Sequence, residues 1–284
     1  MPDPATDLVV QAQSLAPDAV AQIARQARAG AIVPLGRGTP TAYRLPNVAP
    51  DPSLLAAAHA LRCDAAFVPH DRTLDRVRVV AMDMDSTLIT IECIDEIADL
   101  KGIKPEVAAI TASAMRGEID FAESLRRRVA LLASIDETLL AQVYDERLQL
   151  SPGAEAMLAG FKAAGAITAL VSGGFTFFTE RLRTRLGLDV AISNTLAVAH
   201  GRLTGEIAGA IVDAQVKADT VRALAARHNG ERGLTVVLGD GANDLPMFAA
   251  ADVSIAYRAK PVVRAKATHT LDFTGLDGAL NLFR

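Results

Sequence analysis

Short apolar runs, each too short for a helix, recur down the later three quarters of the chain and alternate with stretches of helix formers. The runs are VRVVAM (77–82), ITALVS (167–172), DVAIS (189–193), TVVLGD (235–240), DVSIA (252–256) and THTL (268–271), with helical segments at 154–164, 175–186 and 216–228 between them. A strand buried on both faces reads as a continuous apolar run, and strands that alternate with helices build a parallel sheet with helices on both sides. The fold class predicted is therefore α/β, with a doubly wound, Rossmann-like parallel sheet. Such sheets bind ligands at the carboxyl ends of their strands, which fixes where a site can sit.

Two regions interrupt the alternation. About eighty residues separate the first run from the second, far more than one crossover helix requires. The portion from 93 to 148 is rich in helix formers and broken at Gly102, Pro105 and Gly117, so a small helical cap is expected there. Residues 195–211, TLAVAHGRLTGEIAGAI, alternate around a central HGR and predict a hairpin apart from the core strands. Ahead of the first run, residues 7–68 read strand (DLVVQA), helix (17–28), strand (AIVPL), strand (TAYRL), helix (53–61) and strand (DAAFV). That βαββαβ order predicts a ferredoxin-like N-terminal domain over 1–72. The charged segment HDRTLDR, 70–76, suits a linker to a second domain over 77–284.

Bulk properties narrow the function. Twenty-nine basic against thirty-three acidic residues give a formal charge of −4, and no basic block exceeds Arg126-Arg127-Arg128, so no nucleic-acid partner is expected. The start, MPDPATD, is acidic and proline-broken, unlike a signal peptide, and no window approaches 18 uninterrupted apolar residues. The expectation is a cytoplasmic protein with no membrane partner, acting on a small molecule. Cys63 and Cys93 form no CxxC or Cys/His cluster, and the five histidines are scattered, so neither a disulfide framework nor histidine-based metal chemistry is indicated.

Three motifs fall at the carboxyl ends of apolar runs: DMDST (83–87), SGG (172–174) and GDGAND (239–244). Asp83 and Asp85 alternate by two and can point to one side of a strand end. Two carboxylates about 4 Å apart repel by about 4 kcal/mol at an effective dielectric near 20, so a metal, a proton or both must relieve the pair. A calcium loop does not fit, because Thr87 and Leu88 stand where Asp/Asn and Gly are required and Ile94 stands where the bidentate Glu belongs. A dinucleotide turn does not fit GDGAND either, since Asp240 and Asp244 would repel a pyrophosphate.

In this order, on one edge of one sheet, the motifs resemble those of the haloacid dehalogenase superfamily of phosphotransferases: Asp83/Asp85/Thr87, then Ser172, then Lys217, then Asp240/Asp244. The longer strings DMDSTLITIECIDEIA, AMRGEIDFAESLRRRV, SGGFTFF, DAQVKA and GDGANDLPM resemble its phosphoserine phosphatase family. The likeness covers 77–284. Over 1–72 it extends only to small regulatory-type domains, for which amino-acid binding with feedback and a packing or dimerisation module, giving a homodimer, are both open.

The resemblance implies a Mg²⁺-dependent hydrolysis of O-phospho-L-serine through a phospho-aspartate, the last step of serine biosynthesis. It makes Asp83 the nucleophile and Asp85 the acid and base. Mg²⁺, one per site, would take the Asp83 and Asp240 carboxylates and the Asp85 main-chain carbonyl. Ser172, Gly173, Lys217 and Asn243 would hold the phosphoryl group, with Asp244 supporting the metal shell or Lys217. Glu92 and Arg128 would receive the substrate ammonium and carboxylate, and Met115 and Phe121 match apolar pocket positions. Two alternatives remain at this stage: an enzyme for another small phosphomonoester such as phosphohomoserine, and a receiver-like module phosphorylated without turnover, which the lid and Asp85 disfavour.

Overall fold

The computed structural model describes residues 5–36 and 41–284 of the chain. Residues 1–4 and 37–40, which belong to the predicted N-terminal unit, lie outside the described residues. The first elements are β1 (Thr6–Ala12), α1 (Pro17–Gln26), β2 (Val33–Leu35), β3 (Thr41–Leu45), α2 (Pro52–Ala60) and β4 (Asp64–Pro69). Their strands form a four-stranded sheet in the order β2-β3-β1-β4, with every pair antiparallel. Period-two alternation sorts β1 between two cores. Leu8, Val10 and Ala12 pack with Val20 and Ile23 of α1 and Leu54 and Ala58 of α2, while Val9 joins Ala66 and Val68 in the main core of the protein. Helix α2 starts where its sequence says it should, with Pro52 in the first turn and Asp51 accepting the Ser53 N–H at 2.8 Å.

The second face of this sheet lies against the end of the chain. Asp64, 3 % exposed, accepts the backbone N–H groups of Asp272 (2.7 Å), Phe273 (3.1 Å) and Thr274 (2.9 Å) and the Thr274 hydroxyl (2.8 Å). Gln11 donates to the Gly278 carbonyl and accepts from Asn281, and Arg44 joins Asp7 at 3.1 Å to the Phe283 carbonyl at 2.9 Å. The segment 70–76 is not the loose linker its charge suggested. His70 bonds Asp7 at 2.7 Å, Arg72 contacts the ring of His269, and Leu74 and Arg284 exchange backbone bonds with Arg284 and Arg72 respectively. Burial and the Arg72 charge push His269 down to about 3, which keeps the ring neutral. Charge in this segment serves fixed pairs, a role that composition alone does not distinguish from solvation.

The main sheet begins at β5 (Val77–Met82). A helical insertion follows: α3 (Cys93–Lys101), α4 (Lys104–Met115), α5 (Phe121–Ala130) and α6 (Thr138–Gln142). The chain then returns through α7 (Ala154–Ala163), β6 (Ile167–Phe175), α8 (Thr176–Leu186), β7 (Val190–Ala199), β8 (Arg202–Ala208), α9 (Ala214–His228), β9 (Leu234–Gly239), α10 (Leu245–Phe248), β10 (Val253–Tyr257), α11 (Pro261–Arg264) and β11 (His269–Leu271). The seven strands order as β11-β10-β9-β5-β6-β7-β8, parallel except for the β7–β8 pair at one edge. The expected α/β sheet, predominantly parallel, is therefore present. One boundary differs: DVAIS and the first arm of the hairpin are a single strand, which pairs in parallel with β6 over 190–192 and antiparallel with β8 beyond Thr195.

The insertion is fastened at two places. Its two connections to the core run side by side, with the Thr90 N–H on the Gln149 carbonyl at 3.0 Å and the Ser151 N–H on the Leu88 carbonyl at 2.9 Å. At its far side β8 takes Ser134 and Ile135 into backbone bonds with Leu203, both 2.8 Å. Gly205 permits the approach, since its φ is +86° and a Cβ there would lie 2.9 Å from that of Ala133. Among the described residues no helix is long and apolar enough to cross a membrane.

The Asp64 network generates a stability test. Asp64→Ala strands three buried N–H donors and is expected to lower the unfolding free energy by about 3 kcal/mol, read from the urea midpoint. An unchanged midpoint would show that the first sheet is not held to the chain end as described.

Candidate active site

The three motifs meet at the carboxyl ends of β5, β6 and β9. The Asp83 N–H continues the sheet to the Leu238 carbonyl at 3.1 Å, and its Oδ1 accepts the Met84 N–H at 2.7 Å. A tight turn follows, in which Ser86 takes φ 54° and its N–H closes onto the Ile91 carbonyl at 3.2 Å. The turn brings Asp85 back over the edge. There its Oδ1 accepts the N–H of Cys93, the first residue of α3, at 3.1 Å.

Helix α9 delivers the cation. Asp213 caps it by accepting the Gln215 and Val216 N–H groups, both at 2.9 Å, and one turn inside stands Lys217, 1 % exposed. Its Nζ lies 2.8 Å from Asp83 Oδ2 and 2.7 Å from Asp244 Oδ1. Burial alone would pull this ammonium down, but Asp83 and Asp244 outweigh it and hold Lys217 above the usual lysine value. The other oxygen of Asp244 accepts the Asp240 and Gly241 N–H groups, each at 3.1 Å, which fixes the GDGAND turn. Gly239 is required at its start, because a Cβ there would fall 2.3 Å from Asp244 Oδ2. Asn243 Nδ2 reaches Asp83 Oδ2 at 3.3 Å, and Thr87 Oγ1 donates to Asp240 Oδ1 at 3.2 Å.

Electrostatics separates the carboxyls. Burial, then Glu92 and Asp83, push Asp85 well above the usual carboxylate range. Burial and Asp83 raise Asp240 to about 6. One carboxylate oxygen from each of Asp83, Asp240 and Asp244 lies within 4.8 Å of the others. Both oxygens of Asp244 and of Asp83 already hold protein donors, those of Asp83 through Met84 on one side and Lys217 and Asn243 on the other, so a cation taken by Asp83 and Asp240 would share Asp83 with these groups. The donor set is all oxygen and carries excess negative charge, which fits a hard divalent ion such as Mg²⁺ and not a soft one.

The insertion brings the remaining predicted residues over this edge. Glu92 precedes α3 and accepts from Ser86 Oγ at 2.6 Å, and burial raises its carboxyl. Arg128, on α5, is lowered by burial, with Asp95, Glu92 and Asp85 opposing, so its guanidinium feels the same cluster of acids. Ser172 is buried and its Oγ accepts the Gly174 N–H at 2.9 Å. Phe121 lies over Gly173, whose added Cβ would stand 3.1 Å from the ring, whereas Met115 is 69 % exposed. Several supporting groups escaped the sequence reading. Ser86 lay inside DMDST and was legible there, but the Cys93 amide and Asn194, which bonds the Gly173 carbonyl and the Val212 N–H at 2.8 Å each, carry no motif. Two cavities open elsewhere, one of about 590 Å³ near Arg62 and Phe273 and one of about 580 Å³ near Arg72 and His269, and Asp83 lines neither.

Residues 80–249 match the family model of haloacid dehalogenase-like hydrolases. A phosphoserine phosphatase of Albidiferax ferrireducens is 48 % identical over 223 residues, covering 77 % of this chain and 94 % of that protein. The unliganded structure of a probable phosphoserine phosphatase from Vibrio cholerae superposes with a TM-score of 0.85 at 39 % identity, covering 98 % of this chain and 86 % of the other. A substrate-bound phosphoserine phosphatase complex gives a TM-score of 0.67 at 35 % identity, over 73 % of this chain and 99 % of the other.

Removing the buried cation leaves Asp83 and Asp244 uncompensated. Lys217→Ala should therefore destabilise the protein by about 3–5 kcal/mol, whereas Arg222→Ala, which breaks an exposed pair with Asp219, should cost about 1 kcal/mol or less. Chemical denaturation of the two variants side by side checks the difference.

Proposed function

The chain belongs to the haloacid dehalogenase-like hydrolases, and we propose that it hydrolyses O-phospho-L-serine to L-serine and inorganic phosphate. The observation that supports this reading is an acid just ahead of the insertion, Glu92, and a base on it, Arg128, whose guanidinium feels Glu92 and Asp85 at the edge where Asp83 and Lys217 converge. Phosphoserine presents an ammonium and a carboxylate beside its phosphate, and these two side chains complement both. The phosphoserine phosphatases matched at 48 % and 39 % identity support the same substrate.

Phosphate monoesters hydrolyse so slowly that catalysis must supply up to about 10²¹-fold, and splitting the reaction through a covalent intermediate makes two easier steps. In the first step an Asp83 oxygen bonds to phosphorus as the bond from phosphorus to the serine oxygen breaks. Asp85, protonated because burial and its acidic neighbours raise it, delivers its proton to that departing oxygen. In the second, Asp85 takes a proton from water, whose oxygen attacks phosphorus and frees Asp83. Lys217, Asn243, the Ser172 hydroxyl and the Gly173 N–H hold the phosphoryl oxygens. Asp83, Asp240 and the Asp85 main-chain carbonyl would hold Mg²⁺, which when bound neutralises charge on the phosphoryl group. Asp244 positions Lys217 and the GDGAND turn.

The same reading divides the chain into an N-terminal unit over 1–72 and a phosphatase unit over 77–284 carrying the cap at about 93–148. The antiparallel order β2-β3-β1-β4 supports a ferredoxin-like assignment for the first.

Phosphate release with Mg²⁺ tests the substrate. The expected order of kcat/KM is phosphoserine above phosphohomoserine, with sugar phosphates far below, and a chelator should abolish turnover. Glu92→Gln and Arg128→Lys should raise KM for phosphoserine by about tenfold or more through loss of a charged hydrogen bond. Preference for a sugar phosphate would refute the assignment.

A further inference from the structure

Gly174, near the end of β6, has no backbone reason to be glycine, since its φ is not among the positive values that favour that residue. Its reason is space. A Cβ there would lie 2.6 Å from Met84 Cε, 2.9 Å from Asp85 Oδ2 and 3.2 Å from Ser172 Oγ. Met84 is wholly buried in the main core and has little room to retreat. Ser172 Oγ is tied to the Gly174 N–H at 2.9 Å. The Asp85 carboxyl is held on Oδ1 by the Cys93 N–H at 3.1 Å, and the bare face of Gly174 lies against Oδ2. The Cys93 thiol bonds the same carboxyl, so a methyl group at 174 would press on Oδ2 and turn the carboxyl against its contacts with Cys93.

We propose that Gly174 is a positioning residue: its missing side chain forms the slot that aims the Asp85 carboxyl at the leaving oxygen. The inference rests on the reading of Asp85 as general acid. Nothing in SGG marks the second glycine for this task, because the partner it clears lies about ninety residues earlier in the chain.

The test follows leaving-group release in single turnovers of O-phospho-L-serine and p-nitrophenyl phosphate. The serine alkoxide needs a proton to depart, whereas nitrophenolate is a stable anion and leaves without one. Gly174→Ala is expected to slow serine release by about tenfold or more and nitrophenolate release by less than about threefold. Asp85→Asn should show the same split more strongly. In the Asp85→Asn background, adding Gly174→Ala should then cost less than about twofold with phosphoserine, a cycle that decides even if the phenyl ester reacts poorly. Should Gly174→Ala not fold, Met84→Leu combined with it removes the carbon at 2.6 Å and carries the same comparison. No effect of Gly174→Ala, equal losses on both substrates, or an undiminished cost in the Asp85→Asn background overturns the role of Gly174 while leaving Asp85 as the acid. An Asp85→Asn variant without the split overturns both.

Discussion

Four aspartates crowd the carboxyl edge of one sheet, and Lys217 is the only buried lysine among the described residues to meet them. At an effective dielectric near 20, each close pair of charged carboxylates costs about 4 kcal/mol, so the cluster folds only if its members are treated differently. Lys217 pairs with both Asp83 and Asp244, Thr87 donates to Asp240, and burial with Glu92 and Asp83 holds Asp85 well above the usual carboxylate range. Oxygens of Asp83 and Asp240 lie within 4.8 Å of each other, close enough to share a cation. The residue types, the burial of α9 against the edge and the chemistry all follow from relieving that repulsion.

The scaffold secures this edge from both sides. Strand β8 borders the sheet at one end and grips the helical insertion through Ser134, Ile135 and Leu203. At the other end β11 leads into residues 272–284, which the first sheet holds through Asp64, Gln11 and Arg44. Polar groups dominate the second junction, where Asp64 and Gln11 select the backbone groups of 272–278 that they meet.

Much of the fold was legible because burial on both faces leaves a signature in the sequence. VRVVAM, ITALVS and TVVLGD are continuous apolar runs for that reason, and they become β5, β6 and β9. The helix formers of 93–148 likewise become helices. Boundaries were less legible where one strand changes partners: β7 passes from β6 to β8 without any break in propensity. The segment 70–76 misled because Arg72 and His70 look solvated when their partners, His269 and Asp7, are distant in sequence. The acidic motifs announced the site, yet the groups that aim them did not. The Cys93 amide and Asn194 act through geometry that only the turn after Asp83 and the packing of β6 create.

Every proposed step begins with or regenerates Asp83 as the nucleophile toward phosphorus. Acid quenching of the enzyme during turnover of phosphoserine labelled in its phosphate, followed by peptide mapping, measures this directly. The label should be an acyl phosphate on Asp83 that disappears in Asp83→Asn. Label on any other residue, or rapid turnover with no covalent label at any time point, would contradict the division of roles among the aspartates.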